Sequence, residues 1–380
     1  MIQSIGVIGG GQLGRMFALV AKRMGYNVVT LDPTEHSPCG QVSDEQIVAR
    51  YDDFDAIDLL GSKTDVVTYE FENIAIDSVR RLEARGYTVT PGSDVLRITQ
   101  DRLLEKRFLR DIGIAVADFA EINGTDDVRE AGRRIAWPAI LKTVRGGYDG
   151  KGQWRAQNGN DAEKALAESG SLRLILEREV QFVKELGVVA TRDQNDDIET
   201  FPVTENVHDR GILAMALAPA RIGADVASKA RRMATIIGER LRIVGTYCVE
   251  FFLTADDELL VNEIAPRPHN SGHYTIDAMV CSQYEQHVRA ICDLPLAPPR
   301  ALSNAVMMNI LGTGTGNNLT GVPQLLSEPS IVLHLYGKKH AVTRRKMGHF
   351  TVLCDNIEDG IAKAEVGLAK LSWKTKPAVV

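Results

Sequence analysis

The sequence has little cysteine, no long apolar run and no surplus of positive charge, and each absence closes a class of function. Its five cysteines (Cys39, Cys248, Cys281, Cys292, Cys354) are scattered over 380 residues, odd in number and without a C-x-x-C pair. That pattern argues against a disulfide framework and predicts free thiols in a reducing compartment. No stretch approaches the roughly 18 uninterrupted apolar residues of a membrane helix. The first apolar residues run straight into glycines, so no signal peptide is expected. With 44 basic and 50 acidic residues the net charge is −6, the wrong sign for affinity built on phosphate neutralisation. Neither nucleic acid nor a membrane is expected as a partner, and a cytoplasmic location is. Repeats, low-complexity tracts and a Gly-Lys-Ser/Thr phosphate loop are missing too.

What is present is ordinary for a globular protein, with 44% apolar and 25% charged residues. A chain of this length exceeds one hydrophobic core. Its punctuation suggests four stretches: 1–97, 98–180, 181–300 and 301–380. The first alternates short apolar strands (Ile5–Ile8, Val28–Leu31, Val66–Tyr69) with helical patterns from Arg15 to Met24 and Ile76 to Arg85. Such alternation predicts an α/β fold with a parallel, doubly wound sheet. A charged helix over 101–111 and strands at 139–143 and 172–177 follow. Further strands are expected at 188–190, 246–253, 259–262, 305–311 and 331–336, with helices at 224–240 and 357–368.

Two glycine loops compete as nucleotide sites. Gly9-x-Gly11-x-x-Gly14 follows a strand and opens a helix, and Asp32 closes the next strand 18 residues after Gly14. Glycines that admit a pyrophosphate, a helix N-terminus that attracts it and an acid for the ribose make up the dinucleotide fingerprint. A nicotinamide-dependent oxidoreductase is one reading, but no hydride-transfer site accompanies it. The second loop, Arg145 to Gln153, directly follows a strand ending near Lys142 and holds four glycines. Its backbone N–H groups suit a flap over phosphates, with Lys142 as a point charge on phosphate oxygens; the alternative is a solvated turn.

The carboxylates favour the second loop. Glu250 lies inside Tyr-Cys-Val-Glu-Phe-Phe and Glu263 inside Leu-Leu-Val-Asn-Glu-Ile, with Asp256-Asp257 between them as a hairpin turn. Two anions in paired apolar strands are costly without a counter-ion. Mg²⁺ shared with ATP phosphates resolves the cost with one or two protein carboxylates, and Asn262 adds a neutral oxygen; the alternative is that each glutamate points outward into water or to an arginine. Glu177 to Val180 ends another apolar strand, and Glu185 lies eight residues past Glu177. There, backbone groups suit an adenine and a carboxylate suits a ribose, although taken alone these residues read better as a surface ion pair. The loop Ala265 to His273 carries Arg267, His269, Asn270 and Ser271; a guanidinium suits a planar oxyanion such as bicarbonate. Lys338, Arg344, Arg345 and Lys346 form a basic cluster that suits a phosphate or a solvated face.

Together these segments resemble the ATP-grasp superfamily, and within it the N5-carboxyaminoimidazole ribonucleotide synthetases of purine biosynthesis. The resemblance is carried by residues 9–15, 69–73, 146–153, 204–208, 262–273 and the tail from Lys338 to His349. It implies an ATP-grasp fold with an N-terminal Rossmann-like domain and a small C-terminal α+β subdomain. The implied reaction is ATP-dependent carboxylation of 5-aminoimidazole ribonucleotide by bicarbonate, with Mg²⁺ and a homodimeric assembly. By this resemblance ATP is held by Arg102, Lys142, the flap Gly147, Tyr148, Asp149, Gly150, Lys151, Gly152 and Gln153, then Glu177, Arg178, Glu179, Val180, Glu185, His208, Asn262 and Glu263. The implied Mg²⁺ ligands are Glu250 and Glu263. Gln12, Leu13, Glu70, Tyr148, Asp149, Lys338 and Arg345 are the implied contacts of the imidazole nucleotide. Arg267, His269 and Asn270 are implied to bind bicarbonate and carry the transfer.

Overall fold

Short β-branched runs separated by amphipathic helices build a parallel sheet at the start of the chain, in a computed structural model that describes residues 2–146, 152–170, 173–314 and 316–375. Its strands are β1 (Ser4–Ile8), β2 (Asn27–Leu31), β3 (Glu45–Ile47) and β4 (Val66–Tyr69), in the order β3-β2-β1-β4. Helix Gln12–Arg23 buries Met16, Phe17, Ala18 and Ala21 beside Tyr284, Val288 and Ile291 of helix Gln283–Ile291. This helix begins at Gln12, earlier than the expected Arg15, because a carboxylate caps its first turn (below).

A second sheet is antiparallel: β5 (Phe119–Ile122), β6 (Ala139–Thr143), β7 (Gln153–Ala156) and β8 (Leu174–Arg178), ordered β5-β8-β6-β7. Leu141, Leu174 and Leu176 of this sheet pack on the alanine- and valine-bearing faces of helices Thr125–Ala131 and Gly159–Ser169.

The third sheet has nine strands. They are β9 (Lys184–Arg192), β10 (Ile198–Thr200), β11 (Thr204–Asp209), β12 (Ile212–Ala218), β13 (Gly245–Leu253), β14 (Leu259–Ala265), β15 (Asn304–Leu311), β17 (Ile331–Leu335) and β18 (Lys346–Cys354). The order is β14-β13-β9-β11-β12-β15-β18-β17, with β10 on β9, while β16 (Asn318–Thr320) pairs β19 (Ser372–Lys374) apart from it. Since β12 pairs β15, the strands beyond residue 300 extend this same sheet. Sequence patterning did not reveal β11, β12 or β18. β11 buries Thr204, Glu205 and Asn206, so no apolar alternation marks it. Helix Ala224–Leu241 covers one face, with Ala230, Met233, Ala234 and Ile237 against Val188, Tyr247 and Val249. No helix among the described residues is long and apolar enough to cross a membrane.

A buried histidine ties the first sheet to the third. His287 Nδ1 accepts from the Thr246 N–H at 2.9 Å, so its proton sits on Nε2, which lies 2.9 Å from Thr68 Oγ1 of β4. Burial pushes its pKa down to about 3. The neutral form is thus tied to the folded state, and the unfolded chain takes up a proton first as pH falls. Stability is complete above the ordinary histidine value near 6.5 and is lost progressively below it. Linkage gives a loss of about 2 kcal/mol between pH 7.5 and 5 from this group. In denaturant titrations at the two pH values, His287→Gln should lower stability at pH 7.5 but remove most of this difference. An undiminished pH dependence would refute the assignment.

Candidate active site

In the first glycine loop, carboxylates of the protein itself satisfy the backbone. Glu70, just after β4, accepts from the Gly11 N–H, and from the Gly14 N–H at 2.7 Å. Asp32 accepts from the Gly10 N–H at 2.7 Å, the Thr34 N–H at 2.7 Å and the Tyr51 hydroxyl at 2.6 Å. The position a pyrophosphate takes in a dinucleotide loop is thus filled by Glu70, and the acid that would bind a ribose is spent on backbone. Burial lifts the Glu70 carboxyl above its usual range, opposed by the two N–H groups and, more weakly, by Lys338. Leu13 packs into the core under the loop, and Gln12 opens the helix half-buried. Lys338 donates to the Lys346 carbonyl at 2.6 Å and lies 5.6 Å from the Tyr336 ring centre. Arg345 is exposed, just before β18.

The predicted ATP residues gather where the second and third sheets meet. Lys142 on β6 and Glu177 on β8 are both buried and bonded at 2.9 Å. Burial raises the Glu177 carboxyl, but Lys106, Lys142 and Arg102 outweigh it and bring the pKa down to about 2. Its other oxygen, Oε1, is buried without a partner among the described residues. Val180 packs with Ala117, Leu260 and Phe252, an apolar wall beside the end of β8. Arg178 and Glu179 direct their side chains to Asp118 (3.3 Å) and Arg155 (2.7 Å). Glu185 on β9 pairs with His208 on β11. Burial pulls the His208 imidazole down, and Glu185 reverses that, leaving it above its usual value. Gly152 accepts from the Thr143 N–H, and Gln153 faces Lys142 across β6–β7. Gly147, Tyr148, Asp149, Gly150 and Lys151 lie outside the described residues.

Glu250 and Glu263 stand directly opposite each other in the β13–β14 ladder, at an irregularity in the register. Burial, reinforced by the Glu263 charge, pushes the Glu250 carboxyl up to about 7. Arg102 reaches Glu263 at 3.3 Å, and Asn262 lies next to it on β14. Among the described residues no group of three or more His, Cys, Asp or Glu is arranged to hold a metal ion. Two facing carboxylates short of positive charge do fit Mg²⁺, which takes few protein ligands and completes its shell with phosphate oxygens and water.

The loop after β14 reaches this pair through His269. His269 Nε2 lies 3.4 Å from Glu250, its Nδ1 lies 2.6 Å from the Ser271 hydroxyl, and its N–H donates to Gln283 at 2.8 Å. Arg267 does not stand open to solvent as a bare anion site. Its guanidinium forks onto Glu72 at 2.6 and 3.2 Å, so an incoming acid would share it with that carboxylate. Asn270 is buried and faces Asn309 on β15.

This arrangement has relatives of known name. A protein from Bacillus subtilis (strain 168) named N5-carboxyaminoimidazole ribonucleotide synthase is 45% identical over 349 residues, covering 92% of this chain and 91% of the relative. The chain belongs to the N5-carboxyaminoimidazole ribonucleotide synthase family. Family models match at 2–100 (ribonucleotide synthetase preATP-grasp domain), 107–284 (ATP-grasp domain) and 305–363 (phosphoribosylaminoimidazole carboxylase C-terminal domain). The crystal structure of the Staphylococcus aureus N5-carboxyaminoimidazole synthetase with ADP superposes with a TM-score of 0.90 at 39% identity, covering 96% of this chain and 97% of that one. The Aspergillus clavatus synthase, solved with ADP and 5-aminoimidazole ribonucleotide, gives 0.90 at 30% identity over 97% and 98%.

As a member of this family the chain is an ATP-grasp ligase, and the expected fold stands. The dinucleotide reading of the first loop has no support in the geometry, since Glu70 and Asp32 consume the groups it needs. Sequence reasoning missed three site-forming residues. Glu72 lay in the Tyr-Glu-Phe-Glu-Asn segment without a role. Glu105 accepts from the Ile264 N–H at 3.1 Å, and burial pushes it up to about 8. Lys106 is 2% exposed and donates to the Val261 and Asn262 carbonyls at 3.1 and 2.9 Å. A signal for Lys106 did exist: it lies three residues from both Leu103 and Leu109, on the buried face of helix Arg102–Asp111.

Proposed function

We propose that this chain carboxylates 5-aminoimidazole ribonucleotide with bicarbonate at the expense of ATP, giving N5-carboxyaminoimidazole ribonucleotide, ADP and phosphate in purine biosynthesis. The observation that carries the proposal is the facing pair Glu250–Glu263, with His269 at 3.4 Å from Glu250 and Arg102 at 3.3 Å from Glu263. Bicarbonate is a poor electrophile. Its oxygen forms a P–O bond to the γ-phosphorus as the β–γ anhydride breaks and ADP departs. The exocyclic amine then forms a C–N bond to the carbon of carboxyphosphate, the C–O bond to phosphate breaks, and the amine loses its proton. Glu177 Oε1 offers a buried acceptor for an amine such as that of adenine, beside the apolar wall at Val180. Lys142 and Arg102 supply charge to the phosphates. Mg²⁺, held by Glu250 and Glu263, would neutralise charge on the transferred group. Glu70 and Lys338 mark the imidazole-nucleotide side, and Arg267, His269 and Asn270 the acid. The identity of the metal, bicarbonate as the acid, a homodimer and a cytoplasmic location rest on the family resemblance.

An omission assay for ADP release tests this reading. Release should require ATP, bicarbonate and 5-aminoimidazole ribonucleotide together and fall to background when any one is withheld. Full release without bicarbonate, or with another acid in its place, would overturn it.

A further inference from the structure

β15 reads Asn-Ala-Val-Met-Met-Asn-Ile-Leu, and Asn309 is a polar side chain in its apolar centre. It is 2% exposed, so its amide depends on protein partners. Asn309 Nδ2 donates to the Leu213 carbonyl at 2.8 Å and to Asn270 Oδ1 at 2.7 Å, and Asn270 Nδ2 donates back to Asn309 Oδ1 at 3.2 Å. The backbone carbonyl decides the orientation of both amides. A carbonyl oxygen only accepts, so the NH₂ of Asn309 must face Leu213, and that leaves its Oδ1 for Asn270. Asn270 then has one satisfactory orientation, because turning it over would set NH₂ against NH₂ and oxygen against oxygen.

We infer that Asn309 is a positioning residue for the acid-transfer loop, fixing which way the Asn270 amide points. One N–H of Asn270 is spent on Asn309, and the second remains for an oxygen of the acid substrate. Released from Asn309, the Asn270 amide can turn and present its carbonyl to that anion, which repels it. Strand β15 lies beyond residue 300, so a strand remote in sequence from the loop sets its polarity. The inference rests on the proposed placement of Asn270 in the bicarbonate site.

Steady-state kinetics of Asn309→Ala, Asn270→Ala and the double variant test it. Asn309→Ala should raise the KM for bicarbonate about tenfold or more, with the KM values for ATP and the imidazole nucleotide within about twofold. Asn270→Ala should show the same selective defect, and the double variant should be no worse than Asn270→Ala, as for residues acting through one another. An impaired Asn270→Ala beside a normal Asn309→Ala would overturn the inference and leave the site reading standing. A normal Asn270→Ala would overturn both. Additive effects, or an Asn309→Ala defect spread equally over all three substrates, would make Asn309 merely structural. If Asn309→Ala does not fold, the nearly isosteric Asn309→Leu decides by the same readings, since it lacks both donors, adds no charge and should show the same bicarbonate defect.

Discussion

Replacing Glu263 with Gln should lower kcat by about 10³-fold while the protein stays folded. The glutamate side chain is 42% exposed and contacts Arg102 at its edge, so the isosteric amide costs little stability. What the substitution removes is one of the two anions that face each other across β13 and β14. With Gln at 263 the Glu250 carboxyl loses the neighbour whose charge helps to raise its pKa, and under the proposed function the site would no longer draw a divalent cation onto the phosphates with two charges. The measurement is kcat at saturating ATP and bicarbonate over a wide range of Mg²⁺ concentration, with thermal melting as the check on folding. The Mg²⁺ requirement should shift to higher concentration. Turnover within a few-fold of the parent would reject the metal role.

Lys106→Met should cost about 3–5 kcal/mol of stability, the range for removing one member of a buried ionic set. The ammonium holds two carbonyls of β14 and stands 3.7 Å from the Glu177 oxygen that Lys142 also binds. Methionine matches its unbranched stem up to the ammonium but gives no donor. It would leave Val261 and Asn262 carbonyls unsatisfied and Glu177 with a single nearby ammonium. Because β14 carries Glu263 and β8 carries Glu177, the loss should also raise the KM for ATP more than that for the imidazole nucleotide. Denaturant unfolding and substrate titrations measure the two effects. A variant within about 1 kcal/mol of the parent would mean that the carbonyls find water and that the clamp is weak.

The strands legible in the sequence carry a predominantly apolar run, such as Ile5–Ile8, Val66–Tyr69 and Ala139–Thr143, even where a charged side chain interrupts it as in 246–253. β11 stayed hidden because its inward residues are Thr204, Glu205 and Asn206, and their pairing with Gly187, Lys184, Arg221 and one another exists only after folding. Helix Gln12–Arg23 began earlier than its pattern suggested because its cap, Glu70, lies 56 residues from Gly14 along the chain. The two glutamates in apolar strands were visible as an anomaly of composition: a charge in such a setting needs a counter-charge, and local sequence carries that statement. Glu72 and Asn309 were not anomalous in the same way, and their parts became apparent only from the side chains they reach.

The sequence by itself determined the alternation of elements, the two glycine loops, and the placing of two glutamates in apolar strands, because these follow from local periodicity and composition. Only the tertiary structure decided that the first glycine loop is closed by the protein's own carboxylates. Only it, too, set Arg267 against Glu72, Lys106 under Glu177 and Asn309 behind Asn270. Those choices are made by residues far apart in the chain, brought within hydrogen-bond distance by three sheets packing together, and no periodicity records such distances.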